Sequence, residues 1–242
     1  MKVFCATDVG CVRTLNEDTY YMPQQGESFV AVADGMGGHK AGEVASSMAI
    51  RMLKEILSAE KTVSEDRMRY AFGKANREVY LESEKDASKK GMGTTMTALW
   101  FSEDTVVLGH VGDSRAYRMR EGNLMRASTD HSYVEELVKI GAITPEMART
   151  HPQRNVITRS IGPWPRVEAD VSTFDLQKGD IWLLCSDGLT MYLEDDVIKK
   201  TLISDTPIQE KVSTLIRMAL DAGGADNVTV LIAAVGECEG DE

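Results

Sequence analysis

Residues 29–57 read FVAVADGMGGHKAGEVASSMAIRMLKEIL. The opening run 29–33 is wholly apolar and lies between Gly26 and Gly35, which predicts a short strand buried on both faces. From Ala41 to Leu57, Val44, Met48, Met52 and Ile56 recur every fourth residue, flanked by Ala45, Ala49 and Leu53. That wide apolar stripe predicts a helix. Asp34-Gly35 closes the strand, but the segment that follows leads into a helix. A two-residue hairpin turn therefore does not explain the pair.

Working outward, a second helix is expected from about Ser64. Thr62 and Glu65 have capping-box spacing, and Met68, Phe72, Ala75 and Val79 supply the buried face. Residues 95–101, 105–110, 115–120 and 123–126 alternate with period two and predict strands, the last two joined by a turn at Glu121-Gly122. VFCAT before Asp8, 181–185 and 228–235 add further strands. Thr206 and Pro207 are expected to cap and open a third helix that Gly223-Gly224 close. Strands cluster and helices cluster, without strict βαβ alternation, so the fold class is α+β with mainly antiparallel sheets covered by helices. Gly91 to Thr95 reads as a close-packing turn, since it lacks the lysine and spacing of a nucleotide cradle. Residues 129–165 are long, polar and weakly periodic, and hold Pro145, Pro152, Pro163 and Pro165. They read as a flap. No repeat or linker divides the chain, so one domain is expected over 1–236, followed by an acidic tail at 237–242.

With 27 Lys and Arg against 38 Asp and Glu, the net charge is -11. A duplex binder needs a basic face to displace counterions, so nucleic acid is disfavoured. No run approaches the roughly 20 apolar residues of a membrane span, nor a signal peptide, and a cytoplasmic protein is expected. Cys5, Cys11, Cys185 and Cys238 form no CxxC pair and have no His at zinc-finger spacing.

The informative residues are acids at strand ends. Asp34 follows FVAVA, Asp187 follows IWLLCS, Asp113 follows VVLGHVG, and Asp226 precedes the strand VTVLIAAV. Asp8 follows VFCAT, with Glu17 and Asp18 soon after. Singly, each reads as a turn. Gathered by a sheet, such carboxylates raise each other's pKa and need a cation to stay ionised. Carboxylate and carbonyl oxygens suit Mg²⁺ or Mn²⁺, and Gly35 could add its carbonyl. Two such ions about 4 Å apart would activate a bridging water against phosphorus. Arg13, four residues before Glu17, is the natural phosphate ligand.

The set DVGCVRTLNED, VADGMGGHKAGEVAS, GMGTTMTA, GHVGDSRAYR, TDHS, NVITRSIG, LLCSDGL and ADNVTV resembles the metal-dependent type 2C (PPM) serine/threonine phosphatases, in particular their compact stand-alone bacterial branch. The resemblance implies a four-layer α-β-β-α sandwich of two packed antiparallel sheets flanked by helices, with a flap subdomain. It implies that Asp34 bridges two Mn²⁺ or Mg²⁺ ions while Gly35 ligates through its carbonyl. Asp187 and Asp226 complete the ligands of the first ion, Glu17 serves the second ion directly or through water, and Asp18 supports it from behind. Asp113 with Asp187 matches a third, weaker site, and Arg13 holds the substrate phosphate. Animal members carry a His, proposed as general acid, where this chain has Met36. His39 and metal-held water are the alternative donors, and a cap or exposed residue is the favoured reading of His39. His110, His131 and His151 are given no catalytic role.

The implied activity is hydrolysis of phosphoserine and phosphothreonine by direct attack of water. Phosphorylated proteins are the expected partners, among them a bacterial Ser/Thr kinase and its substrates, and the chain is expected to be a monomer. Arg149, His151, Arg154 and Arg159 in the flap are a candidate phosphopeptide contact, or else a solvated basic patch. A non-catalytic phosphoprotein-binding module and a small-molecule phosphohydrolase are the rival readings.

Overall fold

The computed structural model describes residues 1–37, 41–60 and 62–236. His39, Cys238 and the tail 237–242 lie outside the described residues. The chain begins with strands β1 (Lys2–Asp8), β2 (Asp18–Tyr21) and β3 (Phe29–Met36), then helices α1 (Ala41–Leu57) and α2 (Glu65–Lys85). Strands β4 (Gly93–Thr94), β5 (Met96–Phe101), β6 (Thr105–Val111), β7 (Arg115–Arg120) and β8 (Asn123–Arg126) follow. Helices α3 (Tyr133–Lys139) and α4 (Pro145–Arg149) lead to β9 (Asp170–Asp175) and β10 (Ile181–Cys185). Helices α5 (Asp187–Thr190), α6 (Asp195–Ile203) and α7 (Ile208–Asp221) precede β11 (Val228–Ala234).

Two antiparallel sheets result, one ordered β1-β11-β10-β7-β8 and the other β2-β3-β5-β6-β9, with β4 added beside β3. Three cores fix the layer order. Val30 and Val32 of β3 face Trp182, Leu184 and Leu231 of the other sheet, in a core between the sheets. Phe29, Ala31 and Ala33, one residue out of phase, pack against Ala45, Ala49 and Leu53 of α1 and Phe72 of α2. On the far side, Leu183, Cys185, Val230 and Ile232 pack against Ile198 of α6 and Leu215 of α7. Period-two alternation in strands that are buried on both faces thus produces the α-β-β-α sandwich expected from the resemblance.

The turn at 121–122 has positive φ at both residues, 48° at Glu121 and 74° at Gly122, as a two-residue hairpin requires. At Gly93 a Cβ would lie 3.0 Å from the Ile161 carbonyl, and Thr94 and Ile161 exchange backbone hydrogen bonds of 2.9 and 2.8 Å. The 91–95 segment is closely packed, but a turn is confined to its start at Gly91, and Gly93 and Thr94 form the short strand β4 instead.

Four details differ from expectation. Ser64, not Thr62, caps α2, its Oγ accepting from the Arg67 N–H at 3.3 Å. The Thr206 hydroxyl pairs with Ser204 Oγ at 2.8 Å, so Pro207 takes the cap position and α7 starts one residue late. Residues 129–165 contain α3 and α4, capped by Ser132 and Thr144. These helices bury only Val134 between them, which leaves no stripe to read. Strands β2 and β9 were not expected; β2 has four residues, and β9 is an edge strand that buries only Val171.

Candidate functional site

The acids converge at one end of the sandwich because the strands carrying them end there. Asp34 near the end of β3 stands opposite Asp18 at the start of β2. Its N–H donates to Thr95 Oγ1 at 2.9 Å, and its carbonyl accepts from Thr94 Oγ1 and the Thr95 N–H, each at 2.8 Å. Gly35 has no room for a side chain, since a Cβ would run into the carbonyl oxygens of Gly42 and Glu17. That close approach seats the Glu17 carboxylate on the amino end of α1, where Gly42 and Glu43 hydrogen-bond to it.

Asp187 starts α5 directly after β10, and Asp226 lies two residues before β11. Asp18 is buried, its Oδ2 accepting from Ser186 Oγ at 2.8 Å and Thr229 Oγ1 at 2.6 Å. Asn227 acts as a clamp that was not anticipated. Its side chain donates to the carbonyls of Val9 and Leu15 at 2.9 and 3.0 Å, and it accepts from the Glu17 N–H at 2.8 Å. The only sequence signal was a buried amide beside Asp226. Asp8 has a different job, with Oδ1 accepting from the Gly10 N–H at 2.8 Å to close a turn.

Asp34 feels the charges of Asp18, Asp187, Asp113 and Asp226, and burial first, then these neighbours, pushes it well above the carboxylate range. Burial followed by the Asp187 charge does the same to Asp113. Asp18 is pushed up to about 7 and Asp187 to about 6, burial again leading, and Asp187 shares a hydrogen bond with Asp34. Burial also raises Glu17. At the rim, Arg13 Nη2 donates to Asp226 Oδ2 at 2.8 Å while half of the arginine side chain stays exposed.

Among the described residues, four buried carboxylate oxygens have no hydrogen-bond partner: Glu17 Oε1, Asp18 Oδ1, Asp113 Oδ1 and Asp187 Oδ1. Buried oxygens left unpaired on mutually repelling acids call for a hard cation. Among the described residues no three His, Cys, Asp or Glu side chains converge in coordinating geometry. The fit lies in the unpaired oxygens and an all-oxygen donor set. Thiol chemistry has no counterpart here. Burial pushes the Cys5 thiol up and that of Cys185 to about 12, and Cys11 Sγ lies 3.8 Å from the Leu220 carbonyl.

A cleft of about 670 Å³ opens beside Asp113 and Asp187, its lining including Arg149, Arg154, Met191 and Glu194, with Arg149 Nε 3.9 Å from Glu194 Oε1. Arg159 points elsewhere, onto Asp170 Oδ1 at 2.6 Å, and His151 is half-buried. Burial pushes His110 down to about 4, and it packs within β6 with Nδ1 2.9 Å from Thr97 Oγ1. His131 is buried at the base of segment 129–165.

The family model for protein phosphatase 2C matches residues 12–228, which span every acid of this cluster. The chain belongs to the protein phosphatase 2C family. It is 39% identical over 249 aligned positions to protein phosphatase PhpP of Streptococcus pneumoniae, covering 98% of each chain. The crystal structure of the Mycobacterium tuberculosis serine/threonine phosphatase PstP/Ppp superposes with a TM-score of 0.92 at 38% identity, covering 98% of this chain and 99% of that one. A PstP catalytic domain in complex with two manganese ions superposes with a TM-score of 0.89 at 37% identity, over 98% of each chain.

Proposed function

We propose that this chain is a manganese- or magnesium-dependent phosphoprotein phosphatase that hydrolyses phosphoserine and phosphothreonine directly, without a phosphoenzyme. One observation carries the reading: four unpaired carboxylate oxygens within a buried, mutually repelling cluster, with a half-exposed arginine at its rim. Asp34, the Gly35 carbonyl, Glu17, Asp187 and Asp226 would hold two ions, with Asp18 in support and Asp113 beside Asp187 at a third, weaker position. When bound, the ions offset the carboxylate repulsion and lower the pKa of water, supplying a nucleophile at neutral pH. Asp226 holds one edge of the Arg13 guanidinium, which leaves its other N–H groups to take phosphate oxygens. Ser186 and Thr229 keep Asp18 fixed beside Asp34.

The catalytic unit would be one domain over 1–236, with 129–165 as a flap whose Arg149 and Arg154 border the cleft and receive the phosphopeptide. Exchanging that segment with a relative's would then change phosphopeptide preference. Its partners would be phosphorylated proteins, including a Ser/Thr kinase, met as a cytoplasmic monomer; among the described residues no helix is long and apolar enough to cross a membrane.

The test is turnover of p-nitrophenyl phosphate and a phosphoserine peptide with manganese and with chelator. Hydrolysis that needs the metal, with the peptide outcompeting the small ester, supports the reading. Binding without turnover would favour a phosphoprotein-binding module. Preference for a small ester would favour a small-molecule phosphohydrolase.

A further inference from the structure

We propose that His131 is a positioning residue for Asp113, its ring oriented by Asp170. The inference rests on the reading of Asp113 as a weak-site metal ligand. Asp113 sits in the turn between β6 and β7, buried, with Oδ1 unpaired. The residue before it, Gly112, has φ 112°, and a Cβ there would lie 2.6 Å from Thr95 Cβ. The backbone at this point is left-handed and lacks room for a Cβ, so residue 112 has no side chain of its own to hold it in place. His131 does so instead. Its N–H donates to the Gly112 carbonyl at 2.7 Å, and its Nδ1 accepts from the Gly112 N–H at 3.1 Å. Both backbone polar groups of Gly112, and so the peptide units on either side of it, are therefore gripped by one residue.

An amide N–H can only donate, so Nδ1 carries a lone pair and the ring proton is on Nε2. That proton goes to Asp170 Oδ2 at 3.1 Å, and Arg159 Nη1 holds the other Asp170 oxygen at 2.6 Å. Arg159 Nη1 also lies 3.0 Å from Nε2, where two donors meet, so its productive contact is the carboxylate. His110 closes the opposite face, with ring centroids 4.9 Å apart. One residue earlier, Asp130 accepts from Arg115 Nε and Nη2, at 3.0 and 2.7 Å to Oδ2. Asp113 is thus bracketed, with Gly112 held by His131 and Arg115 by Asp130. The sequence reading gave His131 no catalytic role, and it has none in contact with substrate. It acts through Gly112 on a carboxylate.

The experiment compares wild type, His131→Ala, His131→Asn and Asp170→Asn by manganese calorimetry, kcat and KM, and thermal melting with chelator. Asn can place Oδ1 where Nδ1 stands and accept the same N–H. Wild type should show two tighter binding events and one weaker one. His131→Ala should weaken the weakest event about tenfold and lower kcat about tenfold, on the scale of outer-shell substitutions. KM should stay within about twofold, because the substrate contact is elsewhere. His131→Asn should recover most of both losses, and Asp170→Asn should fall between. Unchanged weak binding in His131→Ala overturns the inference. So does an equal loss in Asn and Ala that tracks a lower melting temperature, or a wild type with no weaker event. Should His131→Ala not fold, unchanged weak binding in Asp170→Asn overturns it. A wild type that neither binds manganese nor hydrolyses phosphate removes the phosphatase reading itself, whereas normal wild type beside an indifferent His131→Ala removes only this inference.

Discussion

Strand β10 has an aspartate at each end, and the two are treated in opposite ways. Asp180, just before the strand, is buried and receives a two-pronged contact from Arg120, Nε to Oδ1 at 2.6 Å and Nη2 to Oδ2 at 2.7 Å. Asp187, just after it, is half-buried but faces Asp34, Asp113 and Asp226, and its Oδ1 is shut from solvent with no partner. The first acid arrives with its counter-charge built into the fold. The second is kept short of one. A protein of net charge -11 with arginine available elsewhere could have paired both. Leaving one end unpaired stores an electrostatic cost that an added cation relieves at neutral pH.

The largest test of that contrast is activity. Asp34→Ala or Asp187→Ala should take p-nitrophenyl phosphate hydrolysis to background while the metal-free protein melts no lower than wild type, because each change removes repulsion. Near-normal turnover in either would break the contrast. At the other end of the strand, Asp180→Ala should destabilise the fold by about 2 kcal/mol, because Arg120 loses its two-pronged contact while keeping Asp175 as a partner. Turnover per folded molecule should hold, as denaturant unfolding and kinetics on the same sample would establish. Arg13→Ala should raise KM about 30-fold, or about 2 kcal/mol, through loss of a charge-assisted phosphate contact. An unaltered KM would count against that role.

The smallest effect concerns pH. Asp18 and Asp187 are raised in the folded state, to about 7 and about 6, so the native protein binds more protons than the unfolded chain in that interval. Metal-free stability from these groups is therefore present at about pH 4 and lost as pH rises toward 7. Melting of wild type against Asp187→Asn across this range should show the steeper decline in wild type. Equal slopes would mean that Asp187 is ionised in the folded protein.

The layers and the acids were legible for related reasons. Residues 29–33 and 228–235 are buried on both faces, so they read as unbroken apolar runs, and an aspartate where such a run ends is conspicuous. The supports were not legible. Ser186, Thr229 and Asn227 look like ordinary polar residues until the fold brings segments 7–18 and 186–229 together. Arg159 looked like part of a substrate-facing patch, yet it turns aside to the exposed Asp170, since a charge run in sequence does not record direction. Helices α3 and α4 were hidden because neither has a buried stripe.

Strand β1 pairs with β11, so the first strand of the chain finds its neighbour in the last. Asn227 then ties Val9, Leu15 and Glu17 to the far terminus. Translation proceeds in one direction, and long-range closure is slow. A nascent chain from which residue 227 has not yet emerged therefore has Asp34 and Asp113 in hand but no finished pocket, so its catalytic power should switch on only once that residue clears the ribosome.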